Sequence, residues 1–179
     1  MTDAELIERS LARPESFAVL FDRHFRPLHR FLRARVGADL ADDLASEAFA
    51  VAFRRRSAYD LTRADARPWL YGIAVNLLRG HRRDEERRLR AYARAARGEG
   101  VEDAPGVLDG SLAAALLELS VRDRNLILLH AWAGLSYEQL ADALGLPLGT
   151  VRSGLSRTRA KLRSRLEHDA ALVVGEEVR

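Results

Sequence analysis

Arg152, Ser156, Arg159 and Arg163 follow one another at steps of four, three and four residues, the spacing that brings side chains to one face of an α-helix. Arg157 and Lys161 flank that row, and no acid interrupts the chain between Thr150 and Leu166. Guanidinium groups bind phosphates and base edges, so the face suits nucleic-acid recognition. A recognition helix enters the major groove by its N-terminal part, which makes Thr150, Arg152, Ser153 and Ser156 the candidates for base edges. Lys161, Arg163 and Arg165 are left to hold phosphates. The competing reading is a structural helix with a solvated basic side.

Other chemistry finds little material. The chain has no Cys, which excludes disulfides, thiolate zinc sites and a Cys nucleophile. Gly98-Glu99-Gly100 is followed by neither a further correctly spaced Gly nor a Lys-Ser/Thr pair, so there is no phosphate loop. Ser136 lacks the second Gly of a nucleophile elbow. His24 and His29 fall on different sides of a helix, and neither has an obvious carboxylate partner in the sequence. The expectation is a protein without catalytic residues, metal or cofactor.

The 179 residues, 47% hydrophobic and 31% charged, suffice for one ordinary domain or two small ones. The richest apolar stretch, Leu112 to Leu135, is broken by Glu118, Arg122, Asp123 and Arg124, so no membrane span is expected. Met-Thr-Asp-Ala-Glu carries acids where a secretory signal begins with basic residues, and a cytoplasmic location is expected. Net charge is only +3, but 28 of the 29 basic residues are Arg. Genome composition accounts for the choice of Arg over Lys, and placement along the chain tests for function, because codon bias scatters Arg whereas a binding surface gathers it. Here it is gathered. Ala52 to Arg97 holds thirteen Arg against Asp60, Asp65, Asp84, Glu85 and Glu86; Gly98 to Ser120 holds five acids and no base; Thr150 to Leu166 is again purely basic. Two basic surfaces separated by an acidic connector are expected.

Those surfaces must be carried by helices, since apolar residues recur at three- and four-residue steps and no strand pattern occurs. Glu15 to Val36 reads as one helix closed by Gly37, and Asp39 to Arg56 as a second with Leu40, Leu44, Ala48, Val51 and Ala52 inward. A polar stretch, Ser57 to Arg67, precedes Pro68, which suits the first turn of a third helix carrying Trp69, Leu70, Ile73, Leu77 and Leu78 inward and continuing through Arg97. Gly98 to Gly110, rich in Gly and acids, reads as a flexible linker. Ser111 to Leu119 and Arg122 to Trp132 form two further helices. Ser136-Tyr137-Glu138-Gln139 is a capping box opening another. Gly145 supplies the left-handed exit from that helix, and Leu146-Pro147 opens the last one, whose stripe is Val151, Leu155, Leu162 and Leu166. This is a helix-turn-helix. The fold class is all-α: two small helical domains, 1–97 and 111–179, joined by a linker at 98–110.

With these motifs in place, Gly134 through Ser153, GLSYEQLADALGLPLGTVRS, resembles the C-terminal DNA-binding module of bacterial RNA polymerase sigma factors, the compact extracytoplasmic-function group in particular. The stretch from Asp42 to Phe49 is similar to that family's polymerase-binding helix, and Trp69 to Asn76 to its promoter-melting helix. The resemblance implies core RNA polymerase and promoter DNA as partners, with an anti-sigma protein as a third. It makes Asp42, Asp43, Leu44, Glu47 and Phe49 the polymerase contact. It assigns Tyr71, Asn76, Arg79, Arg82 and Arg83 to the minus-ten element, with Tyr59 in a loop, Ser57 to Arg67, that captures an unstacked base. Thr150, Arg152, Ser153, Ser156, Arg157, Arg159, Lys161 and Arg163 then read the minus-thirty-five element.

The chain departs from the family pattern at Ala45-Ser46, at Ser120-Val121 where a Pro pair is frequent, and at Gly154 where Arg is common. Two other readings stay open at this stage. A stand-alone helix-turn-helix regulator would bind paired half-sites as a dimer. A basic adaptor would dock an acidic partner without affinity for DNA.

Overall fold

A computed structural model describes residues 1–95 and 110–176, all of whose regular elements are helical. Of the expected linker, 98–110, residues 98–109 lie outside the described residues, and Gly110 belongs instead to the first turn of a helix. The helices are α1 (Asp3–Ala12), α2 (Phe17–Val36), α3 (Ala38–Arg55), α4 (Arg67–Leu78), α5 (Arg82–Ala95), α6 (Gly110–Leu117), α7 (Val121–Ala131), α8 (Tyr137–Leu144) and α9 (Leu148–Glu176). None of the described helices is long and apolar enough to cross a membrane.

Helix α1 was not legible from periodicity alone, but its start carries a capping box. The Thr2 hydroxyl accepts from the Glu5 N–H at 3.2 Å while the Glu5 carboxylate accepts from the Thr2 N–H at 2.8 Å. One residue inside the box, buried Asp3 joins three segments. Its carboxylate accepts from Arg23 at 2.5 Å and from the Ala66 N–H at 2.9 Å, and it pairs with His24 Nε2 at 2.8 Å. The histidines therefore do have carboxylate partners, since His29 Nε2 lies 2.7 Å from Asp42. Both are pairs between elements, and no group of three or more potential metal ligands occurs among the described residues.

Helices α2 and α3 pack as a hairpin about Gly37, whose φ of 98° is costly for any residue with a Cβ. Helix α2 runs unbroken through Pro27. On α3 the buried face is Ala41, Leu44, Ala45, Ala48, Phe49 and Ala52. Leu40 and Val51, expected inward, are only half-buried, because small alanines let α3 approach closely and leave those larger side chains at the edge. Burial of Ile7, Leu20, Leu28 and Leu32 contributes about 1.5–3 kcal/mol each.

Helix α4 is buried on nearly every side: Pro68, Leu70, Tyr71, Gly72, Ile73, Ala74, Val75 and Leu78 are all covered, with Trp69 and Leu77 half-buried. Helix α2 and α3 cover one side and α8 the other. The expected continuous helix through Arg97 is interrupted by a 3-10 turn at Arg79–His81. Gly80 sits at its centre, and Gly is among the poorest residues at sustaining a helix interior. Leu89 and Tyr92 of α5 then share a cluster with Ala113, Leu116 and Leu119, so one apolar core runs through both halves of the chain.

Candidate nucleic-acid interface

The helix-turn-helix forms as its local chemistry requires. Ser136 and Gln139 satisfy each other's free groups at the start of α8, at 3.2 and 2.9 Å. Gly145 adopts the left-handed conformation at φ 63°, and the Leu146 N–H reaches back to the Ala141 carbonyl at 2.9 Å. The Thr150 and Val151 N–H groups both reach the Pro147 carbonyl, so α9 begins one residue after the proline. Leu140, Val151 and Leu155 lock the two helices with no exposed surface.

That packing turns the other side of α9 outward. Arg152, Ser153, Ser156, Arg157, Arg159, Lys161 and Arg163 are exposed and Thr150 is half-buried. Arg159 donates to the Tyr137 hydroxyl at 2.9 Å, and Tyr137 lies edge-on to His130, which bonds the Leu135 carbonyl at 2.8 Å. The middle of the basic row is thereby held by α8. Arg165, expected to hold phosphate, is half-buried and donates to Glu118 at 2.9 Å. Gly154 faces the core rather than solvent: a Cβ there would lie 2.8 Å from Leu126. The missing family Arg is thus a matter of helix packing. Ser120, at the other departure, caps α7 by accepting from the Asp123 N–H at 3.1 Å.

A second basic surface lies where α4 passes into α5. Asn76, Arg79, Arg82 and Arg83 are exposed, and Arg82 is paired with Glu86 at 2.9 Å. Tyr59 and Tyr71 are different. Tyr71 stands edge-on to Phe31 at 5.2 Å, and Tyr59 lies against Trp69 at 5.0 Å and donates to the Arg63 carbonyl at 2.6 Å. Both are buried, which raises both phenols, that of Tyr59 to about 12 with help from the Asp3 and Asp65 carboxylates. Neither ring is presented to solvent in this arrangement. Beside Tyr59, a cavity of about 250 Å³ is lined by Ala58, Asp60, Arg63, Asp65, Pro68 and Trp69, with Asp142 of α8 on its wall.

The third set divides by depth. Asp42, Asp43 and Glu47 are exposed along α3, with Glu47 accepting from Arg54 at 2.9 Å, whereas Leu44 and Phe49 are core. Phe49 supports a partly exposed aromatic pair, Phe21 stacked on Phe25 at 4.6 Å. Sequence reasoning also missed a buried ionic cluster between the halves. Glu85 accepts from Arg35 at 2.5 Å and faces Arg124 at 3.4 Å, and Arg124 donates to the Leu116 carbonyl at 2.9 Å. Burial pulls the Arg35 guanidinium below its ordinary value, against the opposing pull of Glu85. No local signal distinguishes these three residues from the many other charges.

Comparison with known proteins adds independent observations. Residues 20–88 match the family model described as Sigma-70 region 2, and residues 109–162 match Sigma-70, region 4. The chain is 33% identical over 168 residues to the ECF RNA polymerase sigma factor SigM of Mycobacterium tuberculosis, covering 90% of this chain and 83% of that protein. It is 29% identical over 185 residues to the RNA polymerase sigma factor NccH of Alcaligenes xylosoxydans xylosoxydans, covering 93% and 98%. Among solved structures it is similar to CnrH in complex with the cytosolic domain of CnrY, with a TM-score of 0.71, 27% identity and coverage of 93% and 98%. It is also similar to the sigma factor RpoE in complex with the anti-sigma factor NepR from Bartonella quintana, with a TM-score of 0.62, 25% identity and coverage of 86% and 98%.

Proposed function

We propose a division of labour from the premise that this chain belongs to the sigma-70 family of RNA polymerase sigma factors, in its extracytoplasmic-function group, and directs promoter-specific transcription. Residues 1–97 bind core polymerase and open the minus-ten element, 98–110 link, and 111–179 read the minus-thirty-five element. The observation that carries this reading is the pairing of an exposed, acid-free basic face on α9 with a helix-turn-helix whose cap and turn are formed in full. Thr150, Arg152, Ser153 and Ser156 lie nearest the N-terminal end of that face, where a helix in the major groove meets bases. Arg157, Arg159, Lys161 and Arg163 continue it toward the phosphates.

In the first half, the exposure of Asn76, Arg79, Arg82 and Arg83 supports a role in minus-ten binding, with the buried rings of Tyr59 and Tyr71 shaping the site from below. Asp42, Asp43 and Glu47 are the residues of the proposed polymerase contact that lie exposed, and Leu44 and Phe49 hold the helix that presents them. The family acts through the polymerase, and the chain is proposed to supply positioning and specificity rather than catalysis. An anti-sigma protein is proposed as a further partner, on the ground that the similar solved structures include a sigma factor with its anti-sigma factor. A cytoplasmic site of action follows from these partners.

The test is transcription in vitro with purified core polymerase and a randomised promoter library. Defined start sites that depend on the added chain support the reading. A stable dimer on a palindromic duplex, with no dependence of polymerase on the chain, would overturn it in favour of a stand-alone regulator. Absence of any salt-sensitive DNA affinity would favour an adaptor.

A further inference from the structure

Helix α1 lies across the base of the Ser57 to Arg67 loop and is attached to it at both ends. At its start, the Asp3 N–H, one of the donors that a helix leaves without an internal partner, donates to the Ala64 carbonyl at 3.1 Å. The Asp3 carboxylate accepts from the Ala66 N–H at 2.9 Å. Near its other end, the Ser10 carbonyl accepts from Arg56 at 3.4 Å, where the chain enters the loop. The bond between Asp3 and Ala66 replaces a missing cap. Helix α4 begins after Ala66 with no side-chain cap, and its third residue is Trp69, which has no acceptor to return to the Ala66 N–H as the Glu or Gln of a capping box does. Asp3 supplies that acceptor from 63 residues away, and its negative charge suits a helix start. Arg23 at 2.5 Å and His24 at 2.8 Å, both on α2, hold the carboxylate in place.

The tip of the loop is braced on itself. The Tyr59 hydroxyl donates to the Arg63 carbonyl at 2.6 Å, and the Asp60 carboxylate accepts from the Thr62 N–H and hydroxyl at 3.1 and 2.7 Å and from Arg63 at 3.2 Å. A tip braced in this way moves as a unit, so its aim is set where it joins the helices, and those joints are the α1 attachments. All of them lie within the first half of the chain, and α8 takes no part in them. The cavity of about 250 Å³ beside Tyr59 is framed by this tip on one side and by Pro68 and Trp69 of α4 on the other. Its carboxylates, Asp60 and Asp65, stand beside the Trp69 ring, the mixture of hydrogen-bonding groups and ring surface that an unstacked base requires. We infer that α1 is a strut fixing this loop for base capture, and that Asp3 is the positioning residue through which it acts on the choice of minus-ten sequence. The inference rests on the minus-ten reading proposed above and deepens it. Asp3 itself touches no DNA. Without its acceptor the exit of the loop is released, a base meets the cavity walls in a spread of geometries, and discrimination between bases falls before binding does.

Promoter selection by the full-length chain with core polymerase, from a library randomised over both elements, tests this. Asp3→Ala removes the acceptor and should cut discrimination within the minus-ten element about tenfold, with minus-thirty-five choice unchanged and polymerase affinity within about twofold. Asp3→Asn keeps an acceptor for the Ala66 N–H and should retain the natural selection at a lower melting temperature. Ile7→Val, which loosens the buried side of α1 and leaves both attachments in place, should do the same. These two variants separate positioning from stability, and a loss of discrimination shared equally by Ile7→Val overturns the inference. Natural selection by Asp3→Ala, while Asp60→Ala in the loop itself shifts selection, overturns it too and leaves the loop reading standing. Natural selection by both Asp3→Ala and Asp60→Ala removes the loop reading and the inference with it. If Asp3→Ala does not fold, Arg56→Ala decides, since it cuts the other attachment with Asp3 in place: weaker minus-ten discrimination supports the strut, and unchanged selection overturns it.

Discussion

Glu85 and Arg124, from opposite halves of the chain, face each other at 3.4 Å with 4% and 2% of their side chains exposed. Arg35 approaches the same carboxylate at 2.5 Å, so one anion serves two buried cations. Removing that anion leaves both guanidinium groups without countercharge in a region that excludes water. Glu85→Ala is expected to cost about 3–5 kcal/mol, read as a lower urea midpoint, with Glu85→Gln losing less because it can still accept from Arg35. Equal stability of Glu85→Ala and the natural chain would show that the cluster has no structural weight.

Asp3 makes stability depend on acid. Burial raises its pKa, but the bonds from His24, the Ala66 N–H and Arg23 outweigh burial and bring the carboxyl to about 2 from an ordinary 3.8. A carboxyl held low in the folded state stabilises fully above its unfolded value, and the contribution is lost as pH falls through the folded one. About 2 kcal/mol should therefore disappear between pH 4 and pH 2. In Asp3→Asn that portion of the pH dependence should be absent, which denaturant melts at pH 5, 3 and 2 would reveal.

The exposed row on α9 predicts two kinds of loss. Arg152→Ala, near the N-terminal end, should change which minus-thirty-five sequences are selected from the library. Arg163→Ala, farther along, should weaken binding evenly and reduce the salt slope by about 1. The same sequence-independent loss in both variants would mean that the recognition end is misassigned. Arg165→Ala belongs to neither group, since its partner is Glu118.

Gly154 offers a test of packing against contact. Restoring the family's Arg at this site, Gly154→Arg, places a long side chain where even a Cβ comes within 2.8 Å of Leu126, a residue with no exposed surface. The expected result is a loss of about 1–3 kcal/mol from overpacking, without tighter DNA binding. Thermal melts alongside duplex titrations would separate the two effects.

On α3, charge reversal at exposed positions and at buried ones should have different consequences. Asp42→Arg should weaken core polymerase binding at least tenfold and leave the melting temperature within a few degrees, because the Asp42 side of its pair with His29 is exposed to solvent. Leu44→Arg should instead unfold the first half, because Leu44 is only 5% exposed. Polymerase pull-down and melting curves for the two variants check both parts.

What could be read along the chain was what neighbouring residues decide between themselves. The Ser136–Gln139 box, the left-handed Gly145, the outward row from Arg152 to Arg163 and the placing of Pro68 in the first turn of α4 all follow from interactions spanning a few residues. The Thr2–Glu5 box was equally local and equally visible, but no apolar periodicity pointed toward it. Periodicity told which side of a helix is apolar, and charge blocks told where basic surfaces gather. Neither says what covers a given face. Leu44 and Phe49 looked the same in sequence whether they faced a polymerase or a core, and Tyr59 and Tyr71 whether they faced a base or a neighbouring ring. The tertiary structure decided those, along with Asp3 against His24 and Ala66, and Glu85 between Arg35 and Arg124. Each depends on segments far apart in the chain arriving at one place, and desolvation and close packing are properties of that place rather than of any residue's own neighbourhood.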